Sequence, residues 1–529
     1  MSCSTESRRA GILVPLFSVP SSRSWGIGEF TDFPRFGAWL ERAGQRVVVM
    51  LPLSEMPPGE TSPYSALSVM AIDPQFITLD AVDDFLAIGG ESALEPELRH
   101  EVAVARAARA IDYAHVRHLK EVALRRSFAR FKNDEWAKDG TRAGALREYI
   151  SAQSWWLDDY ALFRALKKHH GPQPWLEWPE PIRVRHPEAL AAARVDLADE
   201  VLYRQYLQWI AGSQWAAARA ALPGVKVFGD LPFAVGTESA DVWARQDEFR
   251  LDLSIGVPPD AFSATGQDWR LPAYRWDVLA ERDFTLLRQR AARCADLFDG
   301  YRVDHLVGFF RMYTRPMSGG EGSFTPVEQS AQQALGEWIL GVFQQSGAQI
   351  IAEDLGVVPD FVRDSLARLS IPGYKVFRWE REWHDEGQPF KDPVTYDRVA
   401  VATSGTHDTE PLVVWWETAP LDEREAVLEI PSIRSCLSAE DRTRAVQSTD
   451  LSSSLRDALL EALFASGADL LVLPIQDVFG WRDRINEPAT VGPHNWSWKL
   501  PWESDRLLSV PEAVETSERL RRWTEKYHR

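Results

Sequence analysis

About eight short apolar runs, many of them β-branched, recur along this chain: 12–17, 47–53, 225–231, 301–306, 349–352, 375–379, 399–403 and 470–474. Gly, Pro or Asp bound many of them. Amphipathic helical stretches such as 33–43, 285–297, 330–345 and 362–369 lie between several. Runs this continuous suit strands buried on both faces, and the strand–helix alternation implies an α/β chain with a parallel sheet. Three of the runs end on acidic sites: Arg302-Val303-Asp304-His305, Ala352-Glu353-Asp354 and Gly405-Thr406-His407-Asp408. Carboxylates at such strand ends are what a (β/α)8 TIM barrel uses for chemistry, because its loops converge there on one pocket. The expected fold is therefore that barrel.

The gap from the second run to the third is too long for one βα unit. It holds 95–131 and 141–170, dense in Ala, Leu, Arg and Glu, and reads as a helical insertion spanning roughly 90–210. A second, loop-rich insertion is expected at 239–277. The whole chain, 1–529, is otherwise one catalytic barrel ending in a helix over 511–529. The stretch Arg8-Arg9 followed by apolar residues 10–17 mimics a signal peptide. Pro15 interrupts it and no small-residue cleavage site follows, so it reads as the first strand. No apolar stretch approaches the ~20 residues that span a membrane.

A net charge of −18 argues against nucleic acid or an anionic membrane surface as partner. Three scattered cysteines offer neither a disulfide framework nor zinc spacing, which fits a reducing, cytoplasmic setting. The 22 tryptophans are numerous. Most are expected in cores and interfaces, with a minority offering flat faces to a ligand.

Three acids, an Arg and two His at one rim suit cleavage of a glycosidic bond by paired carboxylates. Asp304 is the candidate nucleophile. Arg302, two residues earlier on the same strand, shares its side and can hold it ionised. A structural Arg–Asp pair would account for the same two residues. Glu353 is the candidate acid/base, with a pKa raised by burial or a neighbouring carboxylate. Asp354 points the other way and reads as structural. Asp408 is the candidate third carboxylate, gripping sugar hydroxyls. His305 and His407 can donate to hydroxyls. Asp230 closes the third run and can brace the cluster, and Ser62-Pro63-Tyr64-Ser65 can set the Tyr64 ring against a sugar face. Two other classes use similar residues: a hard-cation site built from Asp230, Asp304, Glu353 and Asp408, and a glucan-binding protein without turnover. Arg302 opposes the first, and a complete opposed acid pair opposes the second.

Across nearly its whole length the chain resembles the 4-α-glucanotransferases of glycoside hydrolase family 77. The resemblance rests on Gly11-Ile12-Leu13-Val14-Pro15, Trp25-Gly26-Ile27-Gly28-Glu29, Ser62-Pro63-Tyr64, Trp156-Leu157-Asp158-Asp159-Tyr160 and Gly229-Asp230-Leu231-Pro232. It continues through the three acidic motifs to Arg484-Ile485-Asn486 and Asn495-Trp496-Ser497-Trp498. It implies a barrel without a C-terminal β-sandwich domain, and a retaining transfer of α-1,4-glucan segments. Within it Asp304 is implied as nucleophile, Glu353 as acid/base and Asp408 as transition-state stabiliser. Tyr64, Asp230, Arg302 and His407 match further functional positions, and Ser62, Trp269, His305 and Asn486 complete the expected substrate-binding set. No organic cofactor and no catalytic metal are implied. Expected partners are maltooligosaccharides and α-1,4-glucans, met as a monomer or weak homo-oligomer. An α-1,4-glucan hydrolase with minor transfer is the alternative activity. The chain departs from the family pattern at Ala261, at Trp269-Arg270-Leu271-Pro272, in the short loop after Arg315, and at His407-Asp408-Thr409-Glu410. These departures are expected to line the acceptor side or the rim.

Overall fold

The computed structural model describes residues 8–259, 266–488 and 490–529. Eight parallel strands close into a barrel: β1 (Arg9–Leu13), β2 (Val47–Val49), β3 (Lys226–Leu231), β4 (Gly300–Val303), β5 (Gln349–Ala352), β6 (Gly373–Val376), β7 (Ala400–Thr403) and β8 (Leu470–Pro474). Each pairs only with its sequence neighbours, and β8 returns to β1. Nearly every strand residue is buried, because side chains point alternately into the barrel and against the outer helices. On β4, Arg302 lies on the inner side with Asp304 just beyond it. Tyr301 faces outward, and its hydroxyl donates to Phe343 O on helix Gln329–Gln344. Gly229 is required on β3, since a Cβ there would stand 2.2 Å from the Phe298 ring.

Two of the expected strands shift. The first run is strand only from Arg9 to Leu13. Pro15, which lacks an amide proton, turns Leu16–Ser18 into a 3-10 turn. The sixth strand ends at Val376, and Phe377–Trp379 coils into another such turn.

Between β2 and β3 run helices Pro96–Ala107, Tyr113–Phe131, Thr141–His170, Pro187–Asp196 and Ala198–Ala220. Buried ion pairs pin them to the barrel rim. Lys120 meets Glu29 at 2.6 Å, and Arg164 meets Glu55 at 2.9 Å while the Tyr160 hydroxyl donates to the same carboxylate. The segment expected to be loop-rich at 239–277 instead carries two antiparallel strands, Phe249–Val257 and Gln267–Tyr274. They join Met312–Pro316 and Ser323–Thr325 in a four-stranded sheet built from the connections after β3 and β4. Alternation of polar and apolar residues there (Arg250, Leu251, Asp252, Leu253) is the strand signal that a loop reading overlooks. The departure at Ala261 lies outside the described residues. No helix among the described residues is long and apolar enough to cross a membrane.

Candidate active site

The three acidic motifs meet at the carboxyl ends of β4, β5 and β7, and Arg302 organises them. Its Nη1 lies 2.5 Å from Asp230 Oδ2. Its Nη2 lies 2.8 Å from Asp304 Oδ1 and 3.9 Å from Glu353 Oε2. The Arg302 side chain is 7% exposed, against 24% for Asp304 and 14% for Glu353. A buried cation thus sits behind two acids whose carboxyl ends still reach solvent. One nitrogen reaches both, so the facing oxygens of Asp304 and Glu353 lie no further apart than those two distances combined. That bound admits the roughly 5–5.5 Å separation of a retaining pair.

The rim backbone places Glu353. His305 takes a left-handed conformation, φ 42°, immediately after Asp304. Its N–H then donates to Glu353 Oε2 at 2.8 Å, and Leu355 N–H donates to Oε1 at 3.2 Å. The neighbouring Asp354 turns away and accepts from Tyr374 N–H at 2.7 Å, bracing the start of β6. On the other side of Arg302, Tyr64 O–H donates to Asp230 Oδ2 at 2.6 Å. His407 Nε2 lies 3.0 Å from the Tyr64 oxygen and 3.2 Å from Asp408 Oδ2. With the phenol proton committed to Asp230, the network assigns the His407 proton to Nε2, shared between Tyr64 and Asp408. The Tyr64 and His407 rings lie nearly parallel, 5.6 Å apart at 17°.

The same surroundings push the carboxyls in opposite directions. Burial raises the Glu353 pKa. Arg302 opposes the rise, the negative charge of Asp304 adds to it, and the net direction is upward. Burial also raises Asp230, against the pull of Arg302. At Asp408 burial acts upward too, but His407, Asn486 and Arg302 outweigh it and hold the carboxyl well below the usual range. Burial lowers His305 to about 4, so its ring is neutral near pH 7. A site with one acid kept protonated and another kept ionised can run acid/base chemistry at neutral pH.

The remaining expected residues divide. Asn486 Nδ2 donates to Asp408 Oδ1 at 2.7 Å. The Trp269 ring meets His305 edge-on, 4.9 Å away at 78°, so the antiparallel sheet reaches the acids. Ser62 touches none of the acids; it accepts from Tyr64 N–H at 3.3 Å and shapes the turn that presents the phenol. Tyr64 itself enters the acid network through its hydroxyl rather than standing apart as a bare platform. Among the described residues no group of three or more His, Cys, Asp or Glu could hold a metal ion.

A family model described as 4-alpha-glucanotransferase matches residues 14–505. The chain belongs to that family. A 4-alpha-glucanotransferase from Thermus thermophilus is 33% identical over 532 residues, covering 96% of this chain and 99% of its own. One from Synechocystis is 34% identical, covering 96% and 98%. Among solved structures, the amylomaltase from Streptococcus agalactiae in complex with acarbose superposes with a TM-score of 0.82 at 25% identity, covering 99% of both chains. As a 4-alpha-glucanotransferase, the chain transfers segments of α-1,4-glucan to the 4-hydroxyl of another glucan or of glucose.

Three further residues at this glucanotransferase site stood outside the expected site set, although Arg484 and Trp496 lie in motifs that carry the family resemblance. Arg484 Nη2 donates to the Asp408 carbonyl at 2.8 Å. Phe233 approaches Asp304 Oδ2 through its N–H at 3.5 Å and packs its ring on His305. Trp496 covers Tyr64 and His407 from the side. Arg484 stands two residues before Asn486, and that spacing was a usable signal. The backbone contact of Phe233 leaves none. Asn486→Ala is expected to lower kcat/KM for maltotriose about ten-fold, as for a lost hydrogen bond to a charged group. Steady-state kinetics check this; an unchanged value would remove Asn486 from the site.

Proposed function

We propose that Asp304 attacks the anomeric carbon of an α-1,4-glucan while Glu353 protonates the departing glycosidic oxygen. A β-glycosyl ester forms on Asp304. Glu353, now ionised, takes the proton from the 4-hydroxyl of a second glucan, which displaces Asp304 and restores the α-linkage. The observation that carries this reading is Arg302 Nη2, shared between Asp304 and Glu353 at distances compatible with a retaining pair. Arg302 pairs with Asp304 Oδ1 at 2.8 Å and orients the carboxylate that attacks. Asp408, kept ionised, accepts from sugar hydroxyls and tightens its hold as positive charge develops on the ring. Tyr64, Asp230 and His407 hold that arrangement, and Trp269 with His305 bounds the sugar opposite Asp408. The assignment of 90–210 and 239–277 as insertions in a barrel spanning 1–529 belongs to the same reading, as does action in the cytoplasm.

Incubation with pure maltotriose tests it. Glucose and a ladder of longer maltooligosaccharides, with no net gain in reducing ends, is the expected product set. Rising reducing ends with only glucose and maltose would replace transfer by hydrolysis. The pH profile follows from the raised Glu353. Its protonated form is the one that starts the reaction, so kcat/KM is lost as pH rises through its pKa. The basic limb is therefore expected well above the ~4.3 of an unperturbed glutamate. A limb centred in that ordinary range would contradict Glu353 as the acid.

A further inference from the structure

At the opposite end of the barrel from the acids, an open groove of about 470 Å3 lies over the starts of β3, β4 and β5. Small-molecule sites span roughly 300–1,000 Å3. Three cations line the groove, Arg9, Arg219 and Lys226, against one carboxylate, Asp299. That balance is the reverse of the whole chain, which carries −18. Asp299 is already committed. Its Oδ2 accepts from Val227 N–H at 2.9 Å, and its Oδ1 lies 3.1 Å from Lys226 Nζ and 3.6 Å from Arg219 Nη2. The Arg219 guanidinium is fixed through Nη1, which donates to the Asp296 carbonyl at 2.9 Å. Its Nη2 stays beyond hydrogen-bond reach of Asp299, and Lys226 spends only one of three ammonium donors there. Arg9 Nη2 donates to the neutral amide oxygen of Gln349 at 2.6 Å, and its guanidinium lies over the Phe228 ring.

Those groups select a class of occupant. Two cations drawn to one carboxylate oxygen repel each other, and a second anion beside them would relieve that repulsion. Guanidinium forks and an ammonium together suit a phosphoryl group, which offers several charged oxygens at once. A neutral ligand would leave the excess charge in place, and a cationic one would add to it. A bare phosphate would fill only a small part of the groove. The remaining wall combines the Ser346 hydroxyl and the Gln349 amide with the apolar Phe298 and Ala348. Such a wall suits a compact hydroxylated body with C–H faces. The groove shares β3, β4 and β5 with Asp230, Asp304 and Glu353 but opens at their other ends, so its occupant does not meet the bond being cut.

We propose that this groove binds a sugar phosphate, with the phosphoryl group among Arg9, Arg219 and Lys226 and the sugar on the wall of Ser346 and Gln349. Glucose 6-phosphate is the probe, titrated by calorimetry into the full chain, Lys226→Gln and Arg219→Gln. Each variant is expected to weaken its binding about ten-fold or more, as for a lost hydrogen bond to a charged group, with kcat/KM for maltotriose unchanged. Lys226 is exposed, and without it Asp299 keeps Val227 N–H and Arg219, so Lys226→Gln decides the matter where Arg219→Gln folds poorly. No binding to the full chain overturns the proposal, as does equal affinity for the full chain and Lys226→Gln. A matching fall in maltotriose kcat/KM also overturns it, because the lysine would then act on the catalytic centre. Glucose binding as tightly as its 6-phosphate would show that the phosphoryl group is not read, and inorganic phosphate binding as tightly would show that the sugar is not. Tighter binding of adenosine triphosphate would make the occupant a nucleotide. Any of these three results removes the sugar phosphate from the groove.

Discussion

Asp304→Asn is expected to reduce maltotriose turnover by a factor on the order of 10⁴ to 10⁶, the range seen when an enzyme loses its nucleophile. The amide is nearly the same size as the carboxylate but cannot form the glycosyl ester. The fold should survive. Arg302 keeps Asp230 at 2.5 Å, so the buried guanidinium retains a carboxylate partner, and its ion pair with Asp304 is the more exposed of the two. A circular-dichroism spectrum and melting midpoint close to those of the unaltered chain, beside lost turnover, are the expected pair of results. Substantial activity in this variant would remove Asp304 from the role of nucleophile.

Glu353→Gln is expected to cost about 10²- to 10⁴-fold with glucan substrates, the usual range for a lost general acid. The loss should depend on the leaving group. An α-glucosyl fluoride departs without protonation, so the first step is largely kept with that donor. The second step still lacks a base, so glycosyl-enzyme should accumulate as a burst. Equal losses with glucan and with the fluoride would mean that Glu353 shapes the site rather than moving the proton. Both effects exceed the ten-fold expected at Asn486, because Asn486 acts on Asp408 through one hydrogen bond.

The barrel was legible because its strands are nearly continuous apolar runs, a pattern that burial on both faces imposes. The acids were legible because they follow those runs directly, and the period of two placed Arg302 beside Asp304 before any distance was known. The strands Phe249–Val257 and Gln267–Tyr274 were missed despite the alternation in the first, because the turn-forming residues around them favoured a loop reading. The contacts from Phe233 N–H and Leu355 N–H were out of reach for a different reason. They come from backbone atoms, which every residue type has, and depend on loop conformations such as φ 42° at His305. Tyr64 fell between these cases: its motif was plain, but its hydroxyl partners Asp230 and His407 lie 166 and 343 positions away.

The most direct test is to find where the sugar becomes attached. Glu353→Gln is mixed with α-glucosyl fluoride, quenched in acid, digested and mapped by mass spectrometry. One glucosyl unit on the peptide containing Asp304, localised to that residue and absent from Asp304→Asn/Glu353→Gln, is the predicted result. A glucosyl unit on Asp230, Asp408 or any other residue, or burst kinetics with no covalent adduct, would contradict the double displacement at Asp304.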